Sequence, residues 1–309
     1  MREFSFHQLQ ASPTPDVHPL CTYSSVKPPS PVWHLPACRL DSGNFSDRHV
    51  EQSVNDLRVV SWNIRRGEAF EQVLARLRQL DADVLLLSEV DRMLDRSGNR
   101  AVARDLAQAL AMNYVFAVEF IELDGIFSRN PMGEHGQAIL SKYPLGNAQV
   151  IRHPVFAPWF LSPTEPRWGN RITLVADTQI GTRYTRLLNT HLESLSTEKQ
   201  RAYSVEQILQ VAGEVGGAFP QIFGGDFNTV GGSSEQASRI ISRAGFTNPF
   251  PGRDADNCTS SRSCYRLDWL LYRGREIMPR AWKIGDYDGS DHRWLSVDFT
   301  ATQAISQTW

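Results

Sequence analysis

The segment Phe223–Thr229 carries the residue types best suited to chemistry. A Pro-bounded apolar run at 220–223 predicts a short strand, and the two glycines after it allow the backbone to approach a neighbour closely. Asp226 and Asn228 are two positions apart, so on an extended chain their side chains point to the same side. A carboxylate and a carboxamide on one face at the end of a core strand predict a functional site.

Other apolar strands of the chain also end in polar residues. These are Asn63, Glu89, His191, Asp268 and the adjacent pair Asp291 and His292. Each residue alone has an ordinary explanation as a turn, capping or structural residue. The whole set is hard to explain by capping, which favours one shared site.

The chemistry that suits this set is hydrolysis of a phosphate ester. Carboxylates and carboxamides make a hard-oxygen site that suits Mg²⁺, and two histidines alone do not form a closed zinc site. The reaction needs a metal ion and a cationic side chain to stabilise the charge on the phosphoryl oxygens. It also needs a carboxylate that activates the attacking water and a group that protonates the leaving oxygen. Glu89 suits the metal and Asp226 suits the water. The two histidines are suited to stabilise the phosphoryl charge and to protonate the leaving oxygen, and Asp268 is available to orient one of them.

Two strand–helix–strand units position these residues. The first predicts elements at 57–64, 70–80 and 83–89, and the second predicts elements at 184–191, 198–215 and 220–226. In each unit the strands end in a polar group. Because βαβ-like crossovers bring the carboxyl ends of strands together, we expect the polar groups on one rim.

The remaining pattern predicts further elements and two long loops. Helices are expected at 100–112 and 234–244, strands at 114–121, 137–140, 172–178, 267–272 and 294–299, and loops at 152–170 and 249–266. The first loop is rich in Pro and aromatic residues and is the expected specificity element. Its Trp159, Phe160 and Trp168 could stack a base, line an acyl-chain groove or pack beneath the loop, and packing is the commonest outcome.

Composition limits the class of protein. The chain has 309 residues, is 41% hydrophobic and 21% charged, and has a net charge of -2, so it lacks bulk attraction to nucleic acid. No apolar stretch is long enough to span a bilayer, and the first ten residues contain no signal-peptide run. We therefore expect a cytoplasmic monomer without a transmembrane segment.

The first 55 residues differ from the rest. Seven of the 17 prolines precede residue 37, which predicts a mostly extended tail at 1–55, a domain at 56–301 and a C-terminal tail at 302–309. The four cysteines match no metal-binding spacing. Cys258 and Cys264 share one loop and could pair, but the lack of an export signal favours free thiols.

At its polar positions the chain resembles the endonuclease/exonuclease/phosphatase superfamily, which has the deoxyribonuclease I-like fold. The matching motifs are Ser61-Trp62-Asn63-Ile64, Leu87-Ser88-Glu89-Val90, Asn189-Thr190-His191-Leu192-Glu193, Gly224-Gly225-Asp226-Phe227-Asn228-Thr229, Arg266-Leu267-Asp268-Trp269 and Ser290-Asp291-His292. They occur in the family's order and cover about residues 57–300.

The resemblance implies an α/β (α+β) fold, a four-layer sandwich of two packed mixed β-sheets flanked by helices. It implies metal ligands at Asn63 and Glu89, with Asp291 as a further carboxylate, and Mg²⁺ as the ion, with Mn²⁺ as the alternative. It also implies catalytic roles for His191, Asp226, Asn228, Asp268 and His292. The number of ions and the identity of the general base stay open.

The resemblance makes an endonuclease-like phosphodiesterase the first expectation for activity. The alternatives are a phospholipid or small-molecule phosphoesterase of the same fold and a non-catalytic binding protein. Asp91 stands where several DNA-cleaving members carry a basic residue, and an acidic side chain there would repel a phosphate backbone. The arginines Arg92, Arg96, Arg100 and Arg104 could form a stripe, but a solvated face with local acidic partners is favoured.

Overall fold

The computed structural model describes residues 40–47, 56–123, 132–180, 183–214, 219–262 and 264–301. The predicted C-terminal tail at 302–309 and most of the predicted N-terminal tail lie outside the described residues.

The described chain contains thirteen strands and four α-helices. The strands are β1 (Leu40–Gly43), β2 (Asp56–Arg66), β3 (Val84–Arg92), β4 (Asn113–Glu122), β5 (Glu134–Ser141), β6 (Leu145–Arg152), β7 (Arg167–Gly169), β8 (Ile172–Ile180), β9 (Arg183–His191), β10 (Gln221–Asp226), β11 (Asp268–Arg273), β12 (Ile277–Ile284) and β13 (Leu295–Ala301). The helices are α1 (Phe70–Leu80), α2 (Val102–Leu110), α3 (Glu198–Glu214) and α4 (Gln236–Arg243).

The strands form two mixed sheets. The first has the order β1-β4-β5-β3-β2-β13-β12, with β7 paired to β4, and the second has the order β11-β10-β9-β8-β6. Each sheet contains one parallel pair, β2 with β3 and β9 with β10, and every other pairing is antiparallel. The parallel pairs are the two predicted strand–helix–strand units, linked by α1 and α3.

Three apolar layers hold the fold together. The central layer lies between the sheets and contains alternate residues of their facing sides, such as Val59, Leu187 and Ile222. The outer layers lie under the helices. One includes the predicted apolar stripe of α1 (Phe70, Val73, Leu74 and Leu77), and the other includes buried residues of α3 and α4. The architecture is therefore helix, sheet, sheet, helix, as the deoxyribonuclease I-like resemblance implied.

Four strands were not predicted from the sequence. β1 lies within the region predicted to be a tail and pairs with β4 along the edge of the first sheet. β12 is another edge strand, and most of its residues are exposed, so it lacks the apolar alternation that marks a strand. β6 contains Gly146 and Asn147, and β7 has only three residues inside the predicted loop 152–170. Edge pairing in these segments depends on a neighbouring strand more than on local sequence.

The expectation of free thiols at Cys258 and Cys264 is wrong, because the structure joins them in a disulfide. The loop folds back so that the amides of Thr259 and Ser260 both donate to the carbonyl of Tyr265. This turn brings the two cysteine Cα atoms to 4.8 Å, a separation that local spacing alone does not reveal.

Within the described residues, the helices are too short or too polar to cross a bilayer.

Candidate active site

Three predicted site residues lie side by side at one level of the second sheet. Asp226 is the last residue of β10, where its register partner on β9 is His191 and its partner on β11 is Asp268. The pairing brings together groups that are far apart in sequence. All three side chains are buried.

Glycines allow the two sheets to approach each other beneath this row. A Cβ added to Gly224 would lie 2.7 Å from Leu86 and 3.0 Å from the hydroxyl of Ser61, both on the opposite sheet. The neighbouring Gly225 has a φ of 125° and donates its amide to Ser61 Oγ at 2.9 Å. The predicted close approach of the backbone is therefore an approach between sheets, and it brings β2 to the rim that holds Asp226.

His292 completes the row from the loop before β13. Its Nδ1 donates to Oδ2 of Asp268 at 2.7 Å, and its Nε2 lies 3.9 Å from Oδ2 of Asp226. Ligand atoms of these three residues all lie within 4.8 Å of one another, so Asp226, Asp268 and His292 form one buried group. The predicted orientation of His292 by Asp268 is present in the geometry.

Within this group, His292 and Asp226 have pKa values shifted by their neighbours. Burial lowers the pKa of His292, but the carboxylates of Asp268 and Asp226 outweigh it and raise the pKa to about 10. Burial and the neighbouring Asp268 raise the pKa of Asp226 to about 7. At neutral pH, His292 is therefore a cation, and Asp226 can exchange a proton.

Hydrogen bonds fix both oxygens of Asp226. Asn63 Nδ2 donates to Oδ2 at 3.1 Å from the first sheet, and the amide of Asn228 donates to Oδ1 at 2.9 Å. Asn228 has a φ of 49° and donates its side-chain amide to the carbonyl of Leu192 at 2.9 Å. The carboxylate is therefore held in one orientation by two separate segments.

Ser290 ties the Asn63 strand to the His292 loop. Its hydroxyl donates to the carbonyl of Asn63 at 2.6 Å and accepts from the amide of His292 at 3.1 Å. The indole of Trp62 donates to the carbonyl of His292 at 2.8 Å. Ser290 and Trp62 therefore hold the His292 loop against the strand that carries Asn63.

Glu89 lies at an irregularity inside β3, and the prediction that Asn63 and Glu89 end their strands is wrong. β2 and β3 each continue three residues further. The register shifts between Asn63 and Arg66 and between Leu87 and Val90, and Glu89 has a φ of 53°. A bulge redirects a side chain without ending the strand, and a strained non-glycine residue is typical of functional sites.

The Glu89 carboxylate has the properties of a cation ligand. Burial raises its pKa, but His135 and the cations Arg66 and Arg171 lower it to about 2. The two arginines carry this effect at neutral pH, because burial holds the pKa of His135 well below 6.5. Its nearest charged partner in the described chain is Arg66 Nε at 4.0 Å, beyond hydrogen-bonding distance. Glu89 is therefore ionised while its oxygens accept no hydrogen bond from the described residues.

His191 is held by two residues that were not predicted. Arg171 Nη1 donates to Nδ1 of His191 at 2.8 Å and to Oε1 of Glu119 at 2.7 Å. A guanidinium cannot accept a hydrogen bond, so Nδ1 carries no proton and the neutral ring carries it on Nε2. Burial and Arg171 hold the pKa of His191 well below 6.5. Nε2 lies 3.6 Å from Asp226.

The sequence contained a weak signal for the missed pair. Glu119 is an acidic residue in the middle of the strongly apolar strand β4, and it is fully buried. Arg171 comes directly before β8, between the predicted loop 152–170 and the predicted strand 172–178. Neither position shows its partner, because the contact joins residues 52 positions apart.

Asp291 is the predicted site residue with the least structural support. Among the described residues its charged partner is Arg262, whose Nη2 lies 3.9 Å from its Oδ2, and Asp291 does not belong to the buried group around His292. A metal role for Asp291 stays a prediction.

The expected repulsion by Asp91 does not fit the structure. Asp91 is fully buried, accepts two hydrogen bonds from Arg96 and lies 2.7 Å from His135 Nδ1. Arg96 also bonds Glu122 at 2.8 Å. Asp91 is therefore an internal partner of an arginine and does not face a substrate.

The local pairing predicted for the four arginines forms only in part: Arg96 pairs with Asp91 and Arg104 pairs with Asp105, whereas Arg92 and Arg100 pair with acidic residues distant in sequence. Their partners are Asp41 and Glu134 for Arg92, Asp91 and Glu122 for Arg96, Glu71 for Arg100, and Asp105 for Arg104.

The loop 152–170 is bonded to the site at two points. The indole of Trp159 donates to Oε2 of Glu193 at 2.8 Å, two residues after His191. Arg66 donates to Glu165 at 2.9 Å from the side of Glu89. The loop therefore lies beside the row of site residues, as expected of a specificity element.

The model of the endonuclease/exonuclease/phosphatase family matches residues 60–292. No curated protein matches the chain. A structure titled endonuclease/exonuclease/phosphatase from Beutenbergia cavernae is 18% identical with a TM-score of 0.61, covering 80% of this chain and 72% of that one.

Two animal structures share the fold. The human Nocturnin catalytic domain, solved with a bound sulfate anion, is 20% identical with a TM-score of 0.61 and covers 85% of this chain and 97% of that one. Truncated Caenorhabditis elegans TDP2 is 20% identical with a TM-score of 0.51 and covers 80% of this chain and 98% of that one. Because the family match spans most of the sequence and includes every site residue described above, the chain belongs to the endonuclease/exonuclease/phosphatase family.

Proposed function

We propose that the protein is a divalent-metal-dependent hydrolase of phosphate esters, and that it acts as an endonuclease-like phosphodiesterase. The observation that carries the proposal is the convergence of Asp226, Asp268 and His292, with Asn63 donating to the same carboxylate from the other sheet. Four separate segments supply these groups. Such convergence of titratable groups with pKa values pushed apart is typical of acid–base catalysis.

The donor set fits a hard divalent cation. Glu89 would hold the ion with Asn63 beside it, because an ionised carboxylate without hydrogen bonds and an amide oxygen are ligands that Mg²⁺ accepts. Mn²⁺ accepts the same ligands. When bound, the ion would supply positive charge for the oxygens of the phosphoryl group.

Asp226 is the proposed general base. Its pKa of about 7 lets it accept a proton from water near neutral pH, and its two oxygens are fixed by Asn63 and the amide of Asn228. The side-chain oxygen of Asn228 accepts no hydrogen bond from the described residues, so it can contact the water or the phosphate.

His292 is the proposed cation for the developing phosphoryl charge. Asp268 accepts its Nδ1 proton at 2.7 Å and keeps the ring charged, while Nε2 faces Asp226. A preorganised cation in a buried site stabilises the transition state without reorganisation.

His191 is proposed to act near the leaving oxygen as a neutral hydrogen-bond donor. The guanidinium of Arg171 occupies Nδ1 and keeps the proton on Nε2. A neutral imidazole donates a hydrogen bond to a developing oxyanion without first having to become a cation.

Two substrate classes compete within this proposal. The objection to a nucleic-acid substrate is removed, because Asp91 is buried and cannot repel a phosphate backbone. A phospholipid or small phosphoester remains the alternative, with the loop aromatics near Trp159 as its contact surface. A non-catalytic binding protein is disfavoured, because such a chain has no reason to retain the full set of catalytic residue types.

The test is hydrolysis by the purified protein of a panel of DNA, RNA, phospholipids and sugar phosphates with Mg²⁺. The proposal predicts turnover that EDTA abolishes and that Asp226→Asn reduces by about 10³-fold or more. Asp288→Asn is a matched control, because this carboxylate bonds Arg76 and Trp294 away from the row of site residues. Equal activity of wild type and Asp226→Asn on every substrate would overturn the proposal.

A further inference from the structure

Arg167 is a buried arginine next to the candidate active site that has acidic residues nearby but forms no ion pair with a described carboxylate. It is 5% exposed and belongs to β7. Its Nε is fully buried, and none of its three guanidinium nitrogens forms a hydrogen bond or ion pair with a described residue. The other arginines of this region, Arg66, Arg96 and Arg171, each lie within 3 Å of a carboxylate oxygen.

Two aromatic rings hold the Arg167 guanidinium in place. Its central carbon lies 3.9 Å from the ring centre of Trp159 and 4.4 Å from that of Phe120. Contact with ring faces attracts the cation but leaves its N–H groups without acceptors. Burial and the nearby Arg171 lower the pKa of Arg167 to about 10, although Glu122, Glu119 and Glu89 raise it, so the guanidinium stays charged at neutral pH. Buried N–H groups without acceptors are costly unless a ligand completes their hydrogen bonds.

The position of Arg167 is fixed relative to the catalytic residues. Trp159 is bonded through its indole to Glu193, two residues after His191. The second ring, Phe120, also contacts Arg171, whose central carbon lies 5.4 Å from the ring centre. Since Arg171 bonds His191 directly, Arg167 is separated from His191 by one ring and one guanidinium.

We propose that Arg167 binds a second anionic group of the substrate, a phosphate adjacent to the one that is hydrolysed. This inference rests on the proposed function and narrows the substrate class to phosphate esters that carry a further phosphate. A planar guanidinium can donate two parallel hydrogen bonds to phosphate oxygens, a geometry that lysine lacks. The rings of Trp159 and Phe120 hold the guanidinium in a fixed orientation before the ligand binds.

The test compares the binding of paired ligands by isothermal titration calorimetry in EDTA, where no turnover occurs. The ligands are thymidine 5′-monophosphate and thymidine 3′,5′-bisphosphate, with inorganic phosphate and pyrophosphate as a second pair that has closer phosphate spacing. We expect the wild type to bind the doubly phosphorylated member of at least one pair about 10- to 100-fold more tightly. The pair that shows the gain identifies the phosphate spacing of the substrate.

Arg167→Met should abolish this gain and leave the affinity for the monophosphate unchanged. Arg273→Met is the matched control, because Arg273 also stacks on a ring, at 4.7 Å from Phe246, and its side chain bonds only the carbonyl of Ala244 among the described residues. It should retain the full gain. If Arg167→Met does not fold, Arg167→Lys is used instead. It keeps the charge but lacks the two parallel donors of the guanidinium, so it should retain only part of the gain.

The inference is overturned if the wild type shows no gain for either pair, or if folded Arg167→Met or Arg167→Lys keeps the whole gain. Its failure is distinguishable from failure of the proposed function. An Arg167-dependent gain without hydrolysis of any panel substrate would refute only the hydrolase. Mg²⁺-dependent hydrolysis without such a gain would refute only the second phosphate.

Discussion

Replacing Asp268 with Asn tests the electrostatic core of the site while preserving its shape. Asp268 is fully buried, and its Oδ2 accepts the Nδ1 proton of His292 at 2.7 Å. Asparagine can still accept that hydrogen bond through its side-chain oxygen. The substitution therefore removes one negative charge with little change in packing.

The size of the effect follows from the pKa of His292. Burial lowers this pKa and Asp268 is the largest contributor that raises it, to a net value of about 10 from an ordinary 6.5. One pKa unit corresponds to about 1.4 kcal/mol, so a full return to 6.5 would correspond to about 5 kcal/mol as an upper limit. Asp226 and Glu89 still raise the pKa in the variant, so we expect a smaller fall that brings titration of His292 into the neutral range.

Activity should then depend on pH in a way that the wild type does not show. Because the charged form of His292 is the active one, the variant loses activity as pH rises through its lowered pKa. Loss of a preorganised charge at a transition state costs about 10²- to 10³-fold in turnover. The defect should therefore be small at low pH and grow towards pH 9.

NMR titration of the imidazole protons in the metal-free protein measures the pKa directly, with His292→Gln to assign the resonance among the eight histidines. Asp288→Asn is again the control and should leave the His292 resonance unchanged. An unaltered His292 pKa in Asp268→Asn would refute the argument, since the charge of Asp268 would then not be its cause.

Three further predictions concern stability and proton placement. Burial raises the pKa of Asp226 to about 7, so its ionisation destabilises the fold as pH rises above the unfolded value of 3.8. Asp226→Asn should therefore raise the free energy of unfolding of the metal-free protein by up to about 4 kcal/mol at pH 8 and by nothing near pH 3, measured by urea unfolding. The Cys258→Ala/Cys264→Ala double variant should lose about 2 kcal/mol of stability in the same assay, and reductant should bring the wild type to the same value but leave the variant unchanged. Arg171→Lys keeps the charge but not the fixed donor to His191, so we expect kcat to fall with KM unchanged; ¹⁵N spectra should show one His191 tautomer in the wild type and two in the variant.

The sequence predicted the parts of the fold that depend on strong local patterns. The apolar stripe of α1 and the apolar runs of the parallel strands bury large surfaces, so their elements follow from periodicity alone. Asp226 and His191 end such strands, and their convergence follows from the parallel crossover that joins β9 to β10. The motif set then implied the deoxyribonuclease I-like arrangement of two sheets.

Features that depend on contacts between distant segments could not be predicted in this way. Glu119 and Arg171 show their function only through the pairing of their carboxylate and guanidinium. The left-handed conformation of Glu89 arises from a register shift against β5, which the residue itself does not encode. Asp91 was misjudged because its buried partner, Arg96, belongs to a separate turn whose direction the sequence did not show.

The metal response of turnover tests the central claim most directly. Hydrolysis of bis(4-nitrophenyl) phosphate should be measured against Mg²⁺ concentration for wild type and Glu89→Gln. Because the carboxylate charge of Glu89 would hold the ion, we expect the half-saturating Mg²⁺ concentration to rise by about 10- to 100-fold in Glu89→Gln. Identical Mg²⁺ curves for the two proteins, or wild-type turnover that persists in EDTA, would contradict the account.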